Sequence, residues 1–128
     1  SELCQATDAP ALINSGDLGL VGGLANKIEG ELREGEVIAV GNLRFEVRAT
    51  PGHTQGGVSL VHGEAIFVGD ALFAGSLGGT RSRDNYRQQH QAVEEKILSL
   101  DEKLVLFPGH GPATTVGEEK AYNPFFAW

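Results

Sequence analysis

Eight consecutive residues constrain this chain more than any others: Thr50-Pro51-Gly52-His53-Thr54-Gln55-Gly56-Gly57. A run with alternating apolar residues, Asn42 to Thr50, leads in, and an apolar run, Val58 to His62, leads out. Proline fixes φ and glycine accepts backbone angles that other residues resist, so the stretch reads as a tight turn between two strands. A histidine on such a turn is presented at the end of a sheet, where loops held by a rigid scaffold carry chemistry.

The pattern recurs twice. Ile66-Phe67-Val68-Gly69-Asp70 is an apolar strand stopping at a glycine and an acid, and Leu104-Val105-Leu106-Phe107 stops at Pro108-Gly109-His110-Gly111. Three strands thus end in His53, Asp70 and His110, and imidazole and carboxylate are ligands for zinc, iron or manganese. Taken singly, a histidine in a turn is more often a surface or capping group, and an aspartate after glycine more often belongs to a turn. The recurrence carries the reading. Separations of 17 (70 − 53) and 40 (110 − 70) residues exceed those of a zinc finger and suit ligands gathered from separate strand ends. His62 falls at the far end of its strand from His53. His90, among Gln88, Gln89 and Gln91, reads as solvated, and Cys4 as a buried inert thiol.

The remaining elements follow from periodicity. Leu43, Phe45 and Val47 alternate with Arg44, Glu46 and Arg48, the period of a half-buried strand. Gly41-Asn42 joins this run to a strand over 36–40, and Gly63-Glu64 joins 58–62 to 65–68, giving two hairpins. Tyr86 to Leu100 predicts a helix with Val93, Ile97 and Leu100 on one face and Asp84 as cap. A short strand covers 103–107. Thr115, with Glu118 three residues on, predicts a capping box opening a last helix. Asp8 and Pro10 predict a short helix to about Ile13, and 14–23 reads as loop. Phe125, Phe126 and Trp128 form a terminal aromatic cluster. Arg81 to Arg83 and Tyr86, beside the glycine-rich loop 71–80, are candidates for substrate contact, although solvated loop residues are the commoner case.

A length of 128 residues allows one domain or part of one, and 41% hydrophobic residues suffice for a core. A net charge of −7 argues against a nucleic-acid or anionic-membrane partner. With one cysteine no internal disulfide forms, and a cytoplasmic, reducing location is expected. No stretch is apolar and long enough to span a membrane, and no signal peptide is visible.

Thr-Pro-Gly-His-Thr with Gly-Gly-Val-Ser-Leu, then Phe-Val-Gly-Asp-Ala-Leu-Phe, then Phe-Pro-Gly-His-Gly-Pro and Asn-Pro-Phe-Phe, resemble the metallo-β-lactamase superfamily from about Glu36 onward. Within it they resemble the glyoxalase II-like (hydroxyacylglutathione hydrolase-like) branch. The resemblance implies an α+β fold, an αββα sandwich. Residues 1–128 would form a single partial domain, its C-terminal portion, with a mixed, largely antiparallel sheet flanked by helices. It implies that His53 completes the first metal site, that Asp70 is the catalytic carboxylate bridging both metals, and that His110 completes the second. Two zinc ions, or iron or manganese, would activate a water to hydroxide for attack on a small-molecule thioester or related ester. The family's His-x-His-x-Asp-His motif, which supplies the other ligands, does not occur in the chain. The parent is therefore expected to be a hydrolase and this chain alone inactive.

Two alternatives stand beside that expectation. One is a persulfide dioxygenase-like parent using one iron, with His53 and Asp70 in the same place and a different role for His110. The other is a non-catalytic half-domain that pairs with a partner carrying the missing N-terminal half, or with itself, since a half-sandwich leaves an apolar sheet face to cover.

Overall fold

The computed structural model describes residues 2–127. In chain order its strands are β1 (Ala11–Ile13), β2 (Ile28–Glu31), β3 (Val37–Val40), β4 (Leu43–Ala49), β5 (Val58–His62), β6 (Ala65–Gly69), β7 (Leu72–Phe73), β8 (Ser76–Leu77), β9 (Val105–Pro108) and β10 (Thr114–Thr115). Its helices are α1 (Glu2–Thr7), α2 (Arg83–Lys96) and α3 (Val116–Tyr122).

Six strands form the main sheet in the order β10-β9-β6-β5-β4-β3. The expected hairpins β3–β4 and β5–β6 are both present and antiparallel. The pair β6–β9 is parallel. A parallel pair needs a long crossover, and α2 lies within it.

Alternation assigns the two faces of this sheet. Ile66, Val68 and Leu106 point to one side and meet Val93 and Ile97 from α2 and its C-terminal turn, and Val116 of α3. All six are essentially inaccessible to solvent. Each such side chain contributes about 1.5–3 kcal/mol of transfer free energy. On the other face Phe45, Phe67 and Phe107 lie in a row, with ring centroids 6.1 and 5.4 Å apart. Phe67 and Phe107 remain 44% and 40% exposed, so this face is apolar and open.

The N-terminal segment departs from expectation. Helix α1 precedes Asp8 instead of following it: the Asp8 N–H donates to Cys4 O at the helix end, and Asp8 has φ 54°. Ala11–Ile13 is a strand, paired in parallel with β2, not helix. The stretch read as loop, 14–23, holds a 3₁₀ helix, Ser15–Leu20, and the start of a second, Gly22–Lys27, the first capped by the Asn14 side chain accepting from the Gly16 N–H.

Boundaries shift elsewhere for local reasons. Helix α2 starts at Arg83 because Ser82, not Asp84, caps it, accepting from the Asn85 N–H at 3.1 Å. It ends at Lys96, not Leu100, where the Leu98 N–H turns back to Val93 O. Strand β9 starts late because Asp101 engages the N–H groups of Lys103 and Leu104 in a turn. Thr115 does cap α3, accepting from the Glu118 N–H. The Glu118 carboxylate accepts from the Thr114 hydroxyl, so the box is not reciprocal.

His90 is not solvated. Its Nε2 lies 2.8 Å from Phe125 O and its ring 4.5 Å from that of Phe126, which ties the C-terminal segment to α2. Gln89 beside it is fully buried. Trp128 lies outside the described residues. Among the described residues, no helix is long and apolar enough to cross a membrane.

Candidate metal centre

Strand directions alone gather the three sequence-selected side chains. Strand β4 runs antiparallel to β5, and β5 antiparallel to β6, so β4 and β6 point the same way; β9 is parallel to β6. The residues following all three strands, His53, Asp70 and His110, therefore emerge at one end of the sheet.

There they converge on a single oxygen. Asp70 Oδ2 is 3.6 Å from His53 Nε2 and 3.6 Å from His110 Nε2. Two ligands held about 2.0–2.1 Å from one tetrahedral ion stand roughly 3.4 Å apart, so each histidine is spaced from Asp70 as a co-ligand would be. Among the described residues, no three His, Cys, Asp or Glu side chains close around one point as they stand. The arrangement is one carboxylate facing an imidazole on each side, and this donor set suits a divalent metal. The His110 side chain is 78% exposed and that of Asp70 28%, so the centre opens to solvent on the His110 side.

The backbone around each side chain is fitted to its place. His53 Nδ1 lies 2.7 Å from Gly79 O. A carbonyl only accepts, so Nδ1 carries a proton there, and Nε2 is the ring atom that faces Asp70. Metal-binding histidines are commonly oriented this way. The glycine before each ligand has its own reason. Gly52 has φ 139°, and a Cβ there would meet the Asn85 carbonyl of α2 at 2.6 Å. Gly69 turns the chain out of β6 at φ 52°. A Cβ at Gly109 would collide with Asp70 Oδ1.

Asp17 holds the turn that carries His53. Its Oδ2 accepts from the Thr54 hydroxyl at 2.6 Å and its Oδ1 from the Gly56 N–H at 2.7 Å. Asp17, Thr54, His53 and Asp70 line a cleft of about 420 Å³ whose apolar wall includes Leu12 and Leu32. A neighbouring groove of about 410 Å³ at the start of α2 is lined by Arg81, Arg83, Tyr86 and Arg87.

Two residues here were missed from the sequence. Asp17 left no signal, because the 3₁₀ turn that aims it has no hydrophobic period. Gln89 left one: extending the Val93–Ile97 stripe back by four residues lands on it, a polar residue in an apolar register. The remaining histidine, His62, lies as expected away from the centre, with Nδ1 2.8 Å from Arg44 O.

Comparison with known proteins places this chain in a family. The sequence profile of the Metallo-beta-lactamase superfamily matches residues 2–110. Hydroxyacylglutathione hydrolase GloC of Haemophilus influenzae is 36% identical over an alignment of 96 residues that covers 73% of this chain and 45% of that protein. The chain thus spans about half the length of the curated relatives it matches. ETHE1 from Myxococcus xanthus superposes with a TM-score of 0.84 at 31% identity, covering 98% of this chain and 55% of that one. TTHA1623, solved in a di-iron-bound form, superposes with a TM-score of 0.78 at 32% identity, covering 97% of this chain and 68% of that one. The chain belongs to the metallo-beta-lactamase superfamily.

Proposed function

We propose that this chain carries part of a two-metal hydrolase centre that acts on a small-molecule thioester or related ester, with His53 and His110 as ligands on either side of Asp70. The observation that supports this reading is the single carboxylate oxygen facing both imidazoles at 3.6 Å. The similarity to a hydroxyacylglutathione hydrolase supports the thioester class. When bound, a pair of zinc, iron or manganese ions supplies Lewis acidity and lowers the pKa of a water.

The chain's own residues bind and orient. Gly79 O and Asp17 fix His53 and its turn. Leu12 and Leu32 offer an apolar wall for an acyl chain, and Arg81, Arg83 and Arg87 a cationic groove for an anionic thiol portion. His62 and His90 are engaged by the backbone carbonyls of Arg44 and Phe125. Of the four histidines, then, two serve the centre, and its remaining ligands come from elsewhere in the protein or from a partner.

The test is metal content and turnover of the full-length protein. About two metal ions per protein, and thiol release from a hydroxyacylglutathione that a chelator abolishes, are expected. One iron, with oxygen uptake on a persulfide and no thioester cleavage, replaces this reading with the dioxygenase one. No bound metal, together with a second polypeptide or a dimer in solution, replaces it with the pairing half-domain.

A further inference from the structure

We infer that Gln89 is a positioning residue for the candidate metal centre: its buried amide fixes His53 and Asp70 relative to one another. The inference rests on the metal-centre reading above. Gln89 lies in α2 in the same register as Val93 and Ile97 and is fully buried. Buried amides are retained where they have partners, and this one has three. Its Nε2 donates to Ala71 O at 2.9 Å and Gly78 O at 3.1 Å, with Asp70 O at 3.5 Å. Three carbonyl oxygens face it there, which sets the amide orientation.

Each contact leads to a proposed ligand. Asp70 and Ala71 bracket the peptide that leaves the Asp70 Cα. Gly78 precedes Gly79, whose carbonyl holds the His53 Nδ1–H. Gly52, which precedes His53, lies so close to α2 that a Cβ there would stand 2.8 Å from the Gln89 Cα. A Cβ at Gly78 would collide with Asp70 O and stand 3.2 Å from Gln89 Nε2. One side chain therefore joins the three segments whose relative placement sets the His53–Asp70 spacing. Among the described residues, nothing hydrogen-bonds to the buried Gln89 Oε1.

Gln89→Met in the full-length protein tests this, because it keeps the side-chain length and removes the donors. Zinc affinity, measured by competition with a chelator, is expected to fall roughly 10–100-fold, the range reached when groups that orient metal ligands are lost. The His53 tautomer, read in the metal-free protein from its ring nitrogen NMR shifts, is expected to change from Nδ1–H alone to a mixture. A merely structural loss would lower the melting temperature and leave the tautomer unchanged. A folded Gln89→Met protein with wild-type zinc affinity and tautomer overturns the inference. If Gln89→Met does not fold, Gln89→Asn, which keeps the amide but falls short of the carbonyls, is read in the same way. In the wild type, an Nε2–H tautomer at His53 overturns the inference without any variant. A wild type that binds no zinc defeats the centre itself, and this inference with it.

Discussion

Gly109 and Asp70 are so close that no side-chain carbon fits between the Gly109 Cα and Asp70 Oδ1. The carboxylate can swing aside, so Gly109→Ala is expected to fold with a stability change of about 1 kcal/mol while moving the oxygen that both histidines face. Gly78→Ala differs. Its new Cβ meets the Asp70 backbone carbonyl, which cannot swing, so a loss of about 2 kcal/mol or more is expected. Chemical denaturation and metal analysis on both variants check this. Equal stability losses, or full metal content in Gly109→Ala, would refute the placement of the Asp70 carboxylate.

Asp17 should matter through hydrogen bonding rather than charge. Its two oxygens accept from Thr54 Oγ1 and Gly56 N. Asp17→Ala leaves both donors unpaired, at a cost of about 1–3 kcal/mol, and frees the turn that aims His53. Asp17→Asn keeps an acceptor for the Gly56 N–H, and the Thr54 hydroxyl can turn to accept from the new amide. Zinc affinity is therefore expected to fall about tenfold or more in Asp17→Ala and by much less in Asp17→Asn. Equal losses in both variants would instead assign Asp17 a role carried by its charge.

The strand ends that carry the candidate site were more legible than their surroundings for a physical reason. Leu43–Ala49, Val58–His62 and the hairpin turns carry strict periods and turn residues, and those strands appear where the sequence places them. Their directions bring His53 and Asp70 to one end, and His110 joins them through the parallel pairing of β9 with β6. The segment 11–31 has no such period. Ile28-Glu29-Gly30-Glu31 forms a strand only because β1 lies alongside, and Asp17 acquires its role only when the 3₁₀ turn meets the His53 loop. His90 was misjudged because its partners, Phe125 and Phe126, lie some 35 residues away in sequence.

The groove lined by Arg81, Arg83 and Arg87 offers three cations at the start of α2. If it holds the anionic part of a thioester, Arg81→Ala and Arg83→Ala each raise KM about 2–5-fold with kcat unchanged, as loss of uniform binding does. The effect should shrink at high ionic strength. A thioester of an uncharged thiol supplies the control, since its KM should not move. A fall in kcat with KM unchanged, or equal effects on both substrates, would exclude the groove as an anion site.

Acid stability should depend on Glu34, which joins the β2–β3 connection to the strand leading into the His53 turn. Burial tends to raise the pKa of its carboxyl, but the Ala49 N–H, Lys96 and Arg48 outweigh that and hold it below its ordinary value of 4.5. The Lys96 Nζ is 2.9 Å from Oε2. A carboxylate whose pKa is lower in the folded state contributes stability that is fully present above its unfolded pKa, and lost as pH falls through the folded one. Unfolding midpoints in urea should therefore be flat above about pH 5 and fall below about 4.5. Glu34→Gln removes this group's share, so its profile should start lower at neutral pH and fall less steeply on acidification. Some slope should remain, because hydrogen bonding from Ser15 and then Arg33 also holds the Glu31 carboxyl low. Parallel profiles for wild type and Glu34→Gln would show that the contacts to Ala49 and Lys96 contribute nothing to acid stability.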